Sequence, residues 1–220
     1  TMNISRYLDH AVLKPNLTEQ EVRDAIQAGI DHRVYSVCVR PCDIDLAREM
    51  CEGTDTLVTC VLDFPHGDST AEGKAALAEL YAAKGVAEID MVMNLTAFRS
   101  HEFSYVKEEL LAIREQVPSA IFKVIIEAPQ LTEQEICQAV DLCVEGRADY
   151  VKTSTGWYPG CPSTVEQVRI MSREAAGRIQ IKAAGGIRSL ETIQEMQKAG
   201  FSRFGMGMRS VQNLIKSIYK

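Results

Sequence analysis

The sequence predicts a (β/α)8 barrel, an α/β fold in which eight parallel strands close inside a ring of helices. Eight short apolar runs rich in β-branched residues alternate with segments of helical periodicity. Their midpoints lie about 24 to 33 residues apart, the length of one strand, one helix and two short loops. The predicted strands are residues 7–13, 34–39, 57–64, 88–94, 121–128, 149–154, 178–183 and 203–207.

Helix start and stop signals support this alternation. Thr18 with Glu21 three residues later is a capping box, and we expect Gly29 to end that helix. Thr132 opens a second helix in the same way, and Gly146 ends it. Later in the chain, residues 68–70 open a helix that ends near Gly85, Ser163 precedes the next one, and a helix from Ser189 stops at Gly200.

A closed barrel is favoured over an open doubly wound sheet. The predicted strands are apolar on both faces, as parallel strands covered by helices are. An open sheet remains the alternative, but the first strand lacks a GxGxxG turn and the chain has no GxxxxGK[ST] loop. We therefore expect one barrel domain over residues 1–220.

Composition and charge exclude several classes of function. The chain has 220 residues, 46% of them hydrophobic and 25% charged, and a formal charge of −6, which disfavours a nucleic-acid partner. No run approaches the about 18 apolar residues of a membrane span, so no membrane partner is expected. Seven cysteines without paired CxxC spacing indicate reduced thiols in a cytoplasmic protein and predict no metal site.

Two lysines suggest the chemistry. Lys152 and Lys182 each stand at the carboxyl end of a predicted strand and precede a glycine turn. In a barrel these strand ends form the active site. Two crowded ammonium groups would leave one amine neutral, so that it could attack a carbonyl. The alternative is that each lysine extends separately into solvent.

Asp90 is the expected partner of these lysines. Period-two alternation in the strand at residues 88–94 places Asp90, Val92 and Asn94 on one face. A carboxylate between apolar neighbours needs a cation, which Lys152 or Lys182 would supply. The alternative is a purely structural ion pair.

These stretches together resemble the deoxyribose-phosphate aldolase family. The resemblance rests on LDHAVLKP at the first strand, SVCV at the second, FPHG after the third, residues 88–94, FKVIIE, VKTSTG and KAAGGIR, and so covers nearly the whole chain. It implies a (β/α)8 lyase without a cofactor or metal that reversibly joins acetaldehyde to glyceraldehyde 3-phosphate through a Schiff base.

The resemblance also implies roles for residues of this chain. Lys152 would form the Schiff base, Lys182 would lower the pKa of Lys152, and Lys182 and Asp90 would relay protons. The residues implied to bind substrate are Asp9, Cys38, Thr155, Gly156, Gly185, Gly186, Ile187, Gly205 and Gly207.

The sequence departs from the family pattern at the phosphate end. Trp157 and Tyr158 follow the VKTSTG stretch, and Gly207 and Met208 stand where relatives often carry hydroxyl groups. One alternative is therefore a Schiff-base aldolase or lyase for another sugar or aldehyde, including one without a phosphate. A second is a non-catalytic sugar-phosphate binding barrel. A homodimer is the expected assembly, since such barrels commonly pair through their outer helices.

Overall fold

The computed structural model describes residues 3–218, which form the predicted (β/α)8 barrel. Each strand pairs in parallel with its sequence neighbour, and the eighth pairs with the first, so the sheet is closed. The strands are β1 Leu8–Val12, β2 Ser36–Val39, β3 Leu57–Leu62, β4 Glu88–Val92, β5 Ile121–Ile125, β6 Tyr150–Lys152, β7 Gln180–Ala184 and β8 Arg203–Gly207. The predicted fold class is confirmed.

Helices surround the barrel. They are α1 Glu19–Asp31, α2 Ile44–Cys51, α3 Ala71–Ala83, α4 Leu95–Arg99, α5 Phe103–Gln116, α6 Glu133–Glu145, α7 Val165–Ala175, α8 Leu190–Ala199 and α9 Met208–Ile218. The short α4 lies in the connection between β4 and α5. None of the helices within residues 3–218 is long and apolar enough to cross a lipid bilayer.

The predicted helix caps are largely confirmed. Thr18 and Thr132 form capping boxes, and Gly146 and Gly200 occupy the C-cap positions of α6 and α8. The prediction for Gly29 was wrong, because α1 continues to Asp31. A Cβ at Gly29 would lie 2.8 Å from Val37 Cγ1 of β2, so this glycine allows the helix to approach the strand closely.

The fifth and fourth strands end earlier than predicted. Glu127 adopts a left-handed conformation at φ 55°, and Ala128 begins a 3-10 turn containing Pro129, so β5 stops at Ile125 rather than Ala128. Asn94 does not share the face of Asp90, because β4 ends at Val92 and the Asn94 side chain caps α4 by accepting the Ala97 amide hydrogen.

The two faces of the barrel strands differ in polarity, with apolar side chains pointing outward and many polar side chains pointing inward. Outward-facing residues such as Leu8, Phe122, Val151 and Phe204 are fully buried against the helices. The inward-facing set is unusually polar for a barrel interior, which bulky branched residues normally fill. It includes Asp9, Ser36, Thr59, Glu88, Asp90, Lys123, Lys152, Lys182 and Arg203, each of which is at most 4% exposed.

Candidate active site

The two lysines and Asp90 meet inside the barrel. Lys152 and Lys182 are Cα partners in the register of β6 and β7. Their amines donate to the same oxygen, Asp90 Oδ2, at 2.8 and 2.7 Å. The Lys152 and Lys182 side chains are only 5% and 1% exposed. The lysines therefore do not extend separately into solvent but share one buried carboxylate.

Asp9 on β1 completes this group. Its Oδ2 lies 2.5 Å from the Lys182 amine, and its Oδ1 accepts a hydrogen bond of 2.7 Å from the Ser36 hydroxyl. Burial raises the pKa of Asp9, but the surrounding cations outweigh burial and hold that pKa below its ordinary value. Asp9 is thus a fixed anion beside Lys182.

A second charged layer lies beneath these groups, and sequence reasoning missed it. The Lys123 amine pairs with Glu88, lies 3.1 Å from Asp90 Oδ1 and donates to Asp9 Oδ2 at 3.3 Å. Arg203 donates to Asp9 Oδ1 at 3.0 Å and to Glu88 Oε2 at 2.5 Å. A detectable signal existed, since each of these residues is a charge within an apolar strand.

The pKa values differ from the expectation. Burial lowers the pKa of Lys182 below the ordinary lysine value, and Lys123 and Lys152 contribute to that lowering. Burial also lowers the pKa of Lys152, but Asp90 overrides it, and the net shift is upward. In this arrangement the lowered pKa belongs to Lys182, whereas the sequence had placed it on Lys152. The charge of Asp90 and its hydrogen bond to the amine are the main causes that raise the pKa of Lys152 against burial.

Cys38 lines the same interior as a neutral thiol. It is 2% exposed on β2, and burial raises its pKa to about 11. The negative charge of Asp90 contributes to this shift, while Lys152 opposes it. Cys38 therefore adds an apolar wall near the amines rather than a reactive thiolate.

Thr155 is held in place by the buried carboxylate of Glu127, which follows the end of β5. Its backbone amide donates to Glu127 Oε1 at 3.0 Å, and its hydroxyl donates to Oε2 at 2.8 Å. Glu127 is 3% exposed, and burial raises its pKa. The left-handed backbone at Glu127 aims this carboxylate across to the turn after Lys152, and strained non-glycine residues of this kind cluster at functional sites.

The glycine turns after β6 and β7 touch each other. Gly156 and Gly185 have φ values of 73° and 86°, and a Cβ on Gly156 would lie 3.1 Å from Gly185 Cα. Glycine is needed at both positions for conformation and for close approach. Gly186 packs as tightly, since its Cβ would meet Pro162 Cβ at 2.5 Å. Ile187 is 3% exposed, so its side chain belongs to the core.

Three buried hydroxyl groups fasten these turns together. The side chains of Thr153, Ser154 and Ser163 all donate to the carbonyl oxygen of Ala184. Thr153 also accepts the Ala184 amide hydrogen at 2.9 Å. This cluster ties the VKTSTG turn to the end of β7 and so holds the two lysine-bearing strands in register.

The carboxyl end of β8 carries two glycines, Gly205 and Gly207, instead of larger side chains. Gly205 lies beside Lys182, whose Cε would be 3.5 Å from a Cβ at that position. Gly207 has no neighbour within 4 Å of such an atom, and Met208 is 38% exposed. The β8 end of the mouth is therefore accessible and bears no hydroxyl side chain at these two positions.

A cavity of about 500 Å³ opens at the same face of the barrel. Among its lining residues, Val92 and Glu127 are buried, whereas Arg99 and Tyr158 are exposed. Its further lining residues are Pro65, His66, Leu95, Thr96, Ser100 and Gln130. Trp157, beside this wall in sequence, is 46% exposed. Lys152 is not among the residues that line this cavity.

The described residues contain no cluster suited to a metal ion. Across residues 3–218, no three His, Cys, Asp or Glu side chains come together in an arrangement that could hold one.

Comparison with known proteins identifies the family. A model of the DeoC/LacD family aldolases matches residues 4–215. The chain belongs to this family. The deoxyribose-phosphate aldolase of Aquifex aeolicus (strain VF5) is 41% identical over 204 residues, which cover 93% of this chain and 92% of that protein. The deoxyribose-phosphate aldolase of Brevibacillus brevis is 40% identical over 204 residues, with coverages of 93% and 92%.

Solved structures agree with the family assignment. The aldolase QR15 is 38% identical and superposes with a TM-score of 0.93 over 100% of this chain and 97% of that chain. The deoxyribose phosphate aldolase from Aeropyrum pernix, described as a unique tetrameric structure, is 27% identical with a TM-score of 0.88, covering 99% of this chain and 91% of that chain. The resemblance inferred from the motifs is confirmed.

Proposed function

We propose that the protein is a class I aldolase that reversibly cleaves 2-deoxy-D-ribose 5-phosphate to acetaldehyde and D-glyceraldehyde 3-phosphate. The observation that carries the proposal is the pair of buried amines on one oxygen of Asp90. Amines held in this way can exchange a proton through the shared carboxylate, so either one can become the nucleophile.

The first step assigns Lys152 as the nucleophile. Lys152 passes a proton through Asp90 to Lys182, and the neutral Lys152 amine attacks the aldehyde carbon of the open-chain sugar. The adduct nitrogen loses a proton, its oxygen is protonated by the Lys182 ammonium and leaves as water, and an iminium remains between Lys152 and C1. Lys152 is the more accessible of the two side chains, at 5% against 1% exposure, so it is the one that meets the carbonyl.

The iminium then accepts the electrons of carbon–carbon cleavage. A base of the Asp90–Lys182 pair removes the proton of the C3 hydroxyl, the C2–C3 bond breaks, and glyceraldehyde 3-phosphate leaves. The electron pair forms an enamine on C2, which takes back a proton to give the acetaldehyde iminium. Water hydrolyses this iminium, releasing acetaldehyde and regenerating the amine.

The substrate is assigned from the relatives and from the glycine turns. Proteins about 40% identical to this chain are named deoxyribose-phosphate aldolases. Gly185 and Gly186 expose backbone just before α8, whose N-terminus at Ser189 favours an anion such as the 5-phosphate. We further propose that Gly156, Gly205 and Gly207 leave room there for the phosphate.

The open β8 end favours one alternative substrate class. Met208 and Trp157 are exposed without a charged partner in the contacts described, which would suit an uncharged sugar or aldehyde. Measuring acetaldehyde release from 2-deoxyribose with and without its 5-phosphate separates these two substrate classes. We expect a much higher kcat/KM with the phosphate, and equal values would contradict the phosphate-specific version.

Assembly and location are proposed separately. We infer a cytoplasmic homodimer built from one 1–220 barrel domain per subunit. Leu80 of α3 is 50% exposed and Tyr105 of the adjacent α5 is 36% exposed, so these helices offer an apolar surface for pairing. Light scattering behind size exclusion would measure the mass, and Leu80→Lys should dissociate a dimer formed there. A monomer or tetramer mass for the parent chain would contradict the dimer.

A further inference from the structure

The charges inside the barrel do not balance. Within the residues that the structure describes, the connected interior cluster holds four cations and three anions. The cations are Lys123, Lys152, Lys182 and Arg203, and the anions are Asp9, Glu88 and Asp90. One cation is therefore in excess when every group carries its ordinary charge.

Burial makes that excess costly. The seven side chains are at most 5% exposed, so water cannot compensate the extra positive charge. Arg203 cannot release its proton, and Lys123 is held charged by three carboxylates that outweigh its burial and raise its pKa. Release of one proton from the Lys152 and Lys182 pair is the remaining way to reach neutrality.

We propose that Lys123 and Glu88 are positioning residues that set the charge of the catalytic pair: Lys123 supplies the excess positive charge that keeps one amine of Lys152 and Lys182 neutral, and Glu88 limits that excess. Neither residue is required to touch the substrate. The inference rests on the proposed Schiff-base function and deepens it, because it explains why an amine is free at all among three carboxylates.

The other groups facing the cluster do not cancel the imbalance. Cys38 from β2 is neutral, since burial raises its pKa to about 11. Tyr150 from β6 is also neutral, because burial raises its pKa. Tyr35 contributes a ring face 3.6 Å from the Arg203 guanidinium. From β3, Thr59 adds a neutral hydroxyl on Glu88.

Among the described residues, Glu127 is a further acidic group near the pair. Both of its oxygens are engaged by Thr155, and its charge acts on Lys152 from the loop above rather than within the ion-paired cluster. Its contribution is the same in every variant compared below, so it does not affect the sign of the expected shifts.

Two single variants should move the pH profile in opposite directions. Lys123→Met removes the excess cation, so both amines stay protonated to higher pH. Glu88→Gln removes an anion and lets an amine lose its proton at lower pH. We expect the acid limb of kcat/KM for deoxyribose 5-phosphate to move up by about one pH unit in the first variant and down by about one in the second. On the acid limb, each unit is a tenfold change in rate.

The double variant Lys123→Met with Glu88→Gln restores the parent charge excess. The acid limb of its pH profile should return to the parent position. If both residues were purely structural, the activity losses of the two single variants would add and the acid limb would not return. Lys123→Arg, which keeps the charge, should leave the midpoint in place. If Lys123→Met fails to fold by circular dichroism, the shift of the near-isosteric Glu88→Gln alone decides.

Borohydride trapping separates this inference from the proposed function. If the parent protein gives no acetaldehyde adduct at any pH, the Schiff-base function fails. In a second outcome, the parent traps acetaldehyde while the acid-limb midpoints of both variants stay within about 0.3 pH units of the parent midpoint, or both move in the same direction. In either case only the charge-setting role is overturned.

Discussion

Within residues 3–218, the molecule buries lysines in two places, and the two places differ in charge. Outside the barrel, the Lys74 amine lies 2.8 Å from Glu109 Oε1 and 3.5 Å from Asp63 Oδ2, and it donates to the carbonyls of Gly67 and Val92 at 2.9 Å each. Lys74 is fully buried, like Lys182. There, however, carboxylates outnumber the cation, whereas inside the barrel cations outnumber carboxylates.

The contrast explains why one buried lysine is structural and the other is suited to chemistry. Two acceptor carbonyls and two carboxylates surround the Lys74 amine, and it ties the loop after β3 to the end of β4. Lys182 competes with two other lysines for its carboxylates, and its pKa is lowered by burial and by those neighbours. Burial alone thus does not make a reactive amine; the balance of its partners does.

The largest effect is expected at Lys152. Lys152→Ala removes the proposed nucleophile and should lower kcat for cleavage of deoxyribose 5-phosphate by roughly 10⁴-fold or more. Coupled detection of glyceraldehyde 3-phosphate measures this. Lys107→Ala on α5, a half-exposed lysine paired with Glu145, is the matched control and should keep parent activity. Parent-level turnover by Lys152→Ala would rule out its covalent role.

Lys182→Leu should have the next largest effect. It removes the proton acceptor of the pair while leaving the nucleophile, so we expect kcat to fall by about 10²- to 10⁴-fold with folding retained. Far-ultraviolet circular dichroism checks the fold, and steady-state kinetics check the rate. Unchanged kcat would show that Lys182 is only an ion-pair partner.

A smaller effect is expected where Glu127 holds Thr155. Thr155→Val removes the hydroxyl donor and leaves Glu127 Oε2 buried without that hydrogen bond, so the turn after Lys152 loosens. We expect KM for deoxyribose 5-phosphate to rise about tenfold and kcat to change less. Thr155→Ser, which keeps the donor, should stay near the parent. If the two variants behave alike, the hydroxyl contact is not what positions the turn.

The smallest effect on chemistry is expected at Lys74. Lys74→Met leaves Glu109 and Asp63 without their cation and should lower the free energy of unfolding by about 3–5 kcal/mol. The trapping of acetaldehyde at Lys152 by the protein that remains folded should stay within about twofold of the parent. Urea denaturation measures the first quantity and mass spectrometry the second. A large loss of trapping with unchanged stability would contradict the structural role of Lys74.

The fold was predictable because its signals are local and repeated. Eight apolar runs and their caps define the strand count, and Thr18 and Thr132 mark helix starts where the structure has them. Gly29 misled because a glycine inside a helix can serve packing instead of a C-cap. The end of β5 was not predicted because the left-handed residue there is Glu127, so no glycine marks the turn in the sequence.

The site was only partly predictable, since its charges come from strands far apart in sequence. Alternation places Asp90 inside the barrel, and the repeated strand ends single out Lys152 and Lys182. Lys123 and Arg203 carry the same signal, a charge in an apolar strand, but the contact of Arg203 with Glu88 joins residues far apart in sequence and depends on closure of β8 onto β1. Which lysine has the lowered pKa depends on distances that no sequence pattern contains.

Sodium borohydride reduction in the presence of acetaldehyde tests the central claim most directly. The account predicts one added ethyl group per chain, located by peptide mapping on Lys152, and its loss in Lys152→Ala. An intact protein that gains no mass, or that carries the ethyl group on Lys74 or on surface lysines alone, would contradict it.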